Sequence, residues 1–167
     1  MIDLSVCDGT GFEVMLGTQC TVALKTLQAE PFNIYVGYSI YIKVVAQNQY
    51  GTSPISDPGN GAVMVSVPDA PFLVMNDASI TDDSKIGLFW FDGATNGGSV
   101  ILDYKIEWDQ SIGFWSTLTE GYLDRAYQTT TTLRKGQTYT FRIYARNNVG
   151  FSDPSEELPI LVAQVPD

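Results

Sequence analysis

Apolar and polar residues alternate with a period of two through much of the chain. Ile86, Leu88 and Trp90 alternate with Lys85, Gly87 and Phe89, and Tyr104, Ile106 and Trp108 with Asp103, Lys105 and Glu107. Tyr139, Phe141, Ile143 and Ala145 do the same against Thr140, Arg142 and Tyr144. Successive side chains of a strand point to opposite faces, so each apolar set lines one side of a sheet. Turn residues punctuate these runs at Asp92-Gly93, Asn96-Gly97-Gly98, Lys135-Gly136 and Asn148-Val149-Gly150. No stretch carries a convincing helical stripe. Short strands with Gly, Asn and Asp between them predict an all-β fold of antiparallel sandwiches.

The pattern repeats. Gly37, Ser39, Ile40, Ile42, Val44, Ala46, Asn48, Gly51 and Ser53 are matched 99 positions later by Gly136, Thr138, Tyr139, Phe141, Ile143, Ala145, Asn147, Gly150 and Ser152. Val67-Pro68-Asp69 returns as Val165-Pro166-Asp167 at an offset of 98. A period of this length suits one small sandwich of about 100 residues and is too long for a solenoid repeat.

Composition removes several function classes. The 167 residues hold 9 Lys and Arg, 19 Asp and Glu and no His, for a formal net charge of −10. Phosphate recognition needs clustered cations, so nucleic acid is not an expected partner. The lack of His removes the usual general base and the commonest metal ligand, and no catalytic, cofactor or metal site is expected. Ser and Thr are plentiful but have no base to activate them. No apolar run is long enough to span a bilayer. The acidic pairs Asp82-Asp83 and Glu156-Glu157 read as solvated turn charges rather than as a calcium site. Cys7 and Cys20 enclose twelve residues. They read as a disulfide, with two buried free thiols as the alternative. In the chain-entropy model such a loop contributes roughly 3 kcal/mol, and it implies an oxidising compartment. Met1 to Leu4 has neither the basic start nor the apolar stretch of a signal peptide, so a secreted protein would here be a processed chain or part of a longer one.

Residues 68–167 resemble a complete fibronectin type III domain. Pro68-Asp69-Ala70-Pro71 is similar to the family's proline-marked linker, Trp90 to its strand B tryptophan, and Tyr104 to Trp108 to its strand C. Leu133 followed by Tyr139 resembles the tyrosine corner at the start of strand F, and Gly150-Phe151-Ser152 the F–G region. The Thr129 to Thr132 run suits strand E, where O-linked glycan on outward members is an open expectation. Residues 1–67 resemble only the later part of the domain, strands C′, E, F and G, with A, B and C missing. Ile40 stands where the corner would have its tyrosine. The segments Cys7-Asp8-Gly9 to Cys20-Thr21-Val22 and Gly59 to Ala62 resemble tandem arrays in surface proteins of ciliate-like protists.

A half sandwich exposes its core face and an unpaired edge. Either the first module belongs to a longer array, or a neighbouring chain supplies strands. Several aromatic and aliphatic residues are expected to face outward as an interface: Phe89 and Phe91, Tyr41 and Val45, and Tyr144. The resemblance implies an extracellular or cell-surface protein without enzymatic activity. A structural coat, stalk or filament whose partners are its own modules comes first. A ligand-binding or adhesion ectodomain is the alternative, with its contact on the B–C and F–G loops.

Overall fold

The computed structural model describes residue 9, residues 11–17 and residues 19–163. Cys7 lies outside these, so the expected Cys7 to Cys20 disulfide has one end beyond the described residues. The chain divides into two compact units, Met1–Met64 and Val65–Asp167.

In the second unit the alternation of the sequence becomes two facing sheets. One has three strands in the order β5 (Phe72–Asn76), β6 (Gly87–Phe91) and β9 (Ala126–Gln128). The other has four in the order β11 (Leu158–Leu161), β10 (Thr138–Arg146), β7 (Asp103–Trp108) and β8 (Ser116–Tyr122). Every pairing is antiparallel. Ile86, just before β6, and Leu88 and Trp90 within it meet the apolar phase of β10, Tyr139, Phe141, Ile143 and Ala145, with Tyr104 and Ile106 of β7, and all of these are buried. Trp90 packs edge-on to Tyr104, ring centroids 5.4 Å apart. The backbone N–H of Arg134 donates to the Tyr139 hydroxyl at 2.9 Å, which ties the turn before β10 to the strand, with Leu133 buried beside it.

Strand E is shorter than expected. It ends at Gln128, and Thr129 to Thr132 lie beyond it. Thr129 is buried, and its hydroxyl accepts the Ile86 N–H at 2.9 Å while its own N–H donates to the Ile86 carbonyl at 2.9 Å. A side-chain oxygen has replaced a ladder carbonyl there, so the strand stops while β6 remains satisfied.

The first unit departs further from the strands expected for it. Its earlier part forms two short helices, α1 (Phe12–Gly17) and α2 (Leu24–Gln28). Leu, Lys and Gln in α2 favour helix locally, and its run has no period-two alternation to oppose that. Strand β1 (Ser39–Ile42) pairs antiparallel with β4 (Gly59–Val63), and β2 (Gln47–Asn48) with β3 (Gly51–Thr52).

After β1 and within β10 the hydrogen bonding is the same at matched positions. In the second unit Ala145 N–H donates to Ser152 Oγ at 3.0 Å and Ile143 N–H to Ser155 Oγ at 2.9 Å. In the first, Ala46 N–H donates to Ser53 Oγ at 3.0 Å and Val44 N–H to Ser56 Oγ at 2.9 Å. The backbone return bonds, Ser53 to Ala46 and Ser152 to Ala145, are both 2.8 Å.

Candidate interaction surface

The matched bonding makes the difference in burial informative. Phe141 and Ile143 are fully buried, whereas their counterparts Ile42 and Val44 are 61% and 63% exposed. Fully burying an aliphatic side chain contributes about 1.5–3 kcal/mol, and neither of these gains it within the first unit. Tyr35, Tyr38 and Tyr41 are exposed as well, with Tyr35 and Tyr38 edge to face at 6.1 Å. Val45, expected outside, is half-buried, and Val44 is the exposed one. The regular strand ends at Ile42, so the alternation that placed Val45 outward is not continued as strand.

In the second unit the outward side of the three-stranded sheet is apolar. Phe91 and Phe72 are opposite one another across β5 and β6, 47% and 49% exposed, with ring centroids 5.9 Å apart. Phe89 pairs with Met75 and is half-buried rather than open. Between Phe72 and Met75 strand β5 has one more residue than β6, a bulge, with Leu73 at φ 48°. The extra residue puts Phe72 and Met75 in step with Phe91 and Phe89 while Val74 packs on the core. Leucine in the left-handed region costs of order 1–2 kcal/mol. The sequence pointed to Phe89 and Phe91 but not to Phe72, Leu73 and Met75, because strict alternation cannot anticipate a bulge.

Tyr144, expected as part of an interface, is instead enclosed by a network on the outer side of the four-stranded sheet. Its hydroxyl donates to Glu107 at 3.0 Å, Lys105 Nζ stands 4.0 Å above its ring, and Phe151 meets it edge-on. Arg142 bridges Glu107 at 2.7 Å and lies 4.0 Å over Trp115. Burial pushes the Glu107 carboxyl up, but Lys105, Arg142 and the Tyr144 hydroxyl outweigh it and hold it below the usual range. Burial, then the Asp92 carboxylate, pushes Tyr104 up to about 12. Hydrogen bonding from Arg125, opposed by burial, holds Asp92 below its ordinary value. Each of these displaced groups sits in an ion pair or sheet contact that accounts for it.

Part of each loop named for ligand contact is engaged by the chain itself. Ser66 N–H donates to the Gly97 carbonyl at 2.9 Å, and Asp69 N–H to Thr95 at 3.0 Å. Thr95 N–H donates back to the Asp69 carboxylate at 3.0 Å. Asn147 Nδ2 reaches the Ser66 and Asn96 carbonyls at 2.8 and 2.9 Å. A side chain on Gly97, at φ +70°, would stand 2.2 Å from the Ser66 oxygen, and one on Gly93 2.5 Å from Asp69. Glycine is needed at both places because backbone runs against backbone. Gly97 of the first turn and Asn147, just before the second, thus clasp residues 66–69, while Asn148 and Val149 stay exposed.

Asp82 Oδ1 accepts the Ser84 hydroxyl, the Ser84 N–H and the Lys85 N–H, so this acidic pair organises a turn. Among the described residues no group of three or more His, Cys, Asp or Glu is placed to hold a metal ion. No described helix is long and apolar enough to cross a membrane.

Two facing antiparallel sheets and a tyrosine-tied turn define an immunoglobulin-like sandwich. The fibronectin type III domain family matches residues 69–160, and the chain belongs to it. The chain is 29% identical over 133 residues to a Xenopus laevis protein described as cell adhesion molecule-related/down-regulated by oncogenes, covering 79% of this chain and 10% of that one. It therefore spans about a tenth of that relative. Among solved structures, a multi-domain segment of titin superimposes with TM-score 0.58 at 25% identity, over 78% of this chain and 43% of that one. The twitchin kinase region from C. elegans superimposes with TM-score 0.53 at 30% identity, over 59% of this chain and 17% of that one.

Proposed function

We propose that the chain is a non-enzymatic segment of an extracellular or cell-surface protein whose modules work by contacting one another, in adhesion or in a structural array. The observation that carries this reading is the uncovered apolar face of the first unit, with Ile42 and Val44 exposed where Phe141 and Ile143 are buried. The second unit gives the chemistry of the occupant: β-strands that present an aliphatic and aromatic face, as Ile86, Leu88 and Trp90 do. A neighbouring fibronectin type III module supplies such strands, so the repeat and the strand complementation belong to one reading. The adhesion-related relative supports the surface location.

Electron microscopy of native, untruncated material tests it. Module arrays or fibres are expected, and isolated monomeric particles free of any membrane or matrix would overturn it. A second test addresses the Phe72 and Phe91 patch. Replacing both with Ser is expected to reduce self-association in sedimentation while the core of the second unit stays folded. Unchanged association would remove this patch from the contact.

A further inference from the structure

The second unit has a surface pocket of about 430 Å³ at the end of the sandwich where the tyrosine corner lies. Its apolar wall is Trp108, whose indole stacks on Tyr139 at 5.5 Å and 16°, together with Ile112. An aromatic ring with a negative face suits the C–H face of a sugar ring as well as it suits another ring edge. Apart from Arg134, the rest of the lining consists of hydroxyls and amides, groups that donate and accept like the hydroxyls of a saccharide.

The polar wall is fixed before any ligand arrives. Gln110 and Ser111 both have positive φ, 54° and 62°. Asp109 holds that turn by accepting the Ser111 and Thr140 N–H groups, each at 2.9 Å. Gln110 Nε2 donates to Ser116 Oγ at 2.7 Å, and the Ser111 hydroxyl to Gln137 Oε1 at 3.0 Å. The Gln137 amide NH₂ is therefore left as a donor and Gln110 Oε1 as an acceptor, beside the Thr131 and Thr132 hydroxyls.

Arg134 gives the pocket its sign. Arg125, Arg142 and Arg146 are each bridged to carboxylates, while Arg134 forms no salt bridge among the described residues. No Asp or Glu lines the pocket. The tyrosine corner positions this cation, because Tyr139 holds the Arg134 backbone. In a chain of net charge −10, an unneutralised guanidinium beside an amide donor marks a place for one carboxylate.

We propose that this pocket binds a saccharide carrying a carboxylate, with the sugar ring on Trp108 and the acid on Arg134 and Gln137. The test titrates the isotope-labelled 167-residue chain with trigalacturonic acid and with neutral galactotriose, following the Trp108 indole N–H by NMR. The acid is expected to bind about tenfold or more tighter than the neutral sugar, the scale of one charge-assisted hydrogen-bonded pair. Arg134→Gln should abolish that difference without lowering the melting temperature, since its side chain is exposed. Equal affinity for the two sugars, no shift at Trp108, or a preference that survives Arg134→Gln would overturn the proposal. So would tighter binding at the same resonance by a short peptide with a free C-terminal carboxylate, which would assign the pocket to peptide ends.

Discussion

Asp92 shows how much one side chain ties together. Arg125 donates to both its oxygens, Nε at 3.0 Å and Nη2 at 2.5 Å, and the Tyr104 hydroxyl from the core also donates to it. Its folded pKa is depressed below the ordinary value of 3.8. The stability it contributes is therefore present above that value and is lost as pH falls through the lower, folded one. Asp92→Asn is expected to lower stability at neutral pH and to flatten the acid limb below about pH 4. Urea denaturation from pH 7 to pH 2 measures both. Gly97 matters for the opposite reason, the lack of a side chain. Gly97→Ala should destabilise the second unit by more than about 1 kcal/mol, through its positive φ and its collision with Ser66. Faster hydrogen exchange at the Ser66 and Asp69 amides would locate the damage.

At the scale of elements, the two matched serines make a controlled comparison. Ser152 is buried and accepts the N–H of buried Ala145, so Ser152→Ala orphans a buried donor at a cost of about 1–3 kcal/mol. Ser53→Ala breaks the same bond at an exposed site where water substitutes, and should cost only a few tenths. Equal losses, read by chemical denaturation, would mean that the face of the first unit is covered in solution. The same contrast explains what was legible in the sequence. Strands β6, β7 and β10 were readable because burial on one side imposes alternation along them. Helices α1 and α2 were not, since five or six residues cannot display a helical stripe. The bulge at Leu73 and the end of strand E at Gln128 depend on tertiary partners, which no local pattern encodes. Of the candidate surface, Phe91 and Tyr41 are exposed where period two puts them, whereas Tyr144 is enclosed by charges from β7. The pocket at Trp108 was not anticipated, because its walls come from separate loops.

Over the whole molecule, burial is uneven. The apolar core cluster lies entirely in the second unit, and Met64 is the only fully buried apolar side chain among the described residues of the first. Local stability follows buried apolar area, so the units should not exchange alike. Hydrogen-exchange mass spectrometry on the 167-residue chain is expected to show strong protection across β6, β7 and β10 and weak protection across β1 and β4. Uniform protection would contradict this distribution.

The clasp on residues 66–69 has a mechanical consequence. Tension arriving along the backbone from before Ser66 cannot load β5 until the Ser66–Gly97 and Asp69–Thr95 bonds part. Between Ser66 and Phe72 lie six peptide steps, which reach roughly 20 Å when drawn straight, and the slack released is that reach less the folded separation of their ends. Releasing that length first would lengthen the module under a pull while its hydrophobic core stayed closed, so the clasp works as a small mechanical fuse ahead of the sandwich.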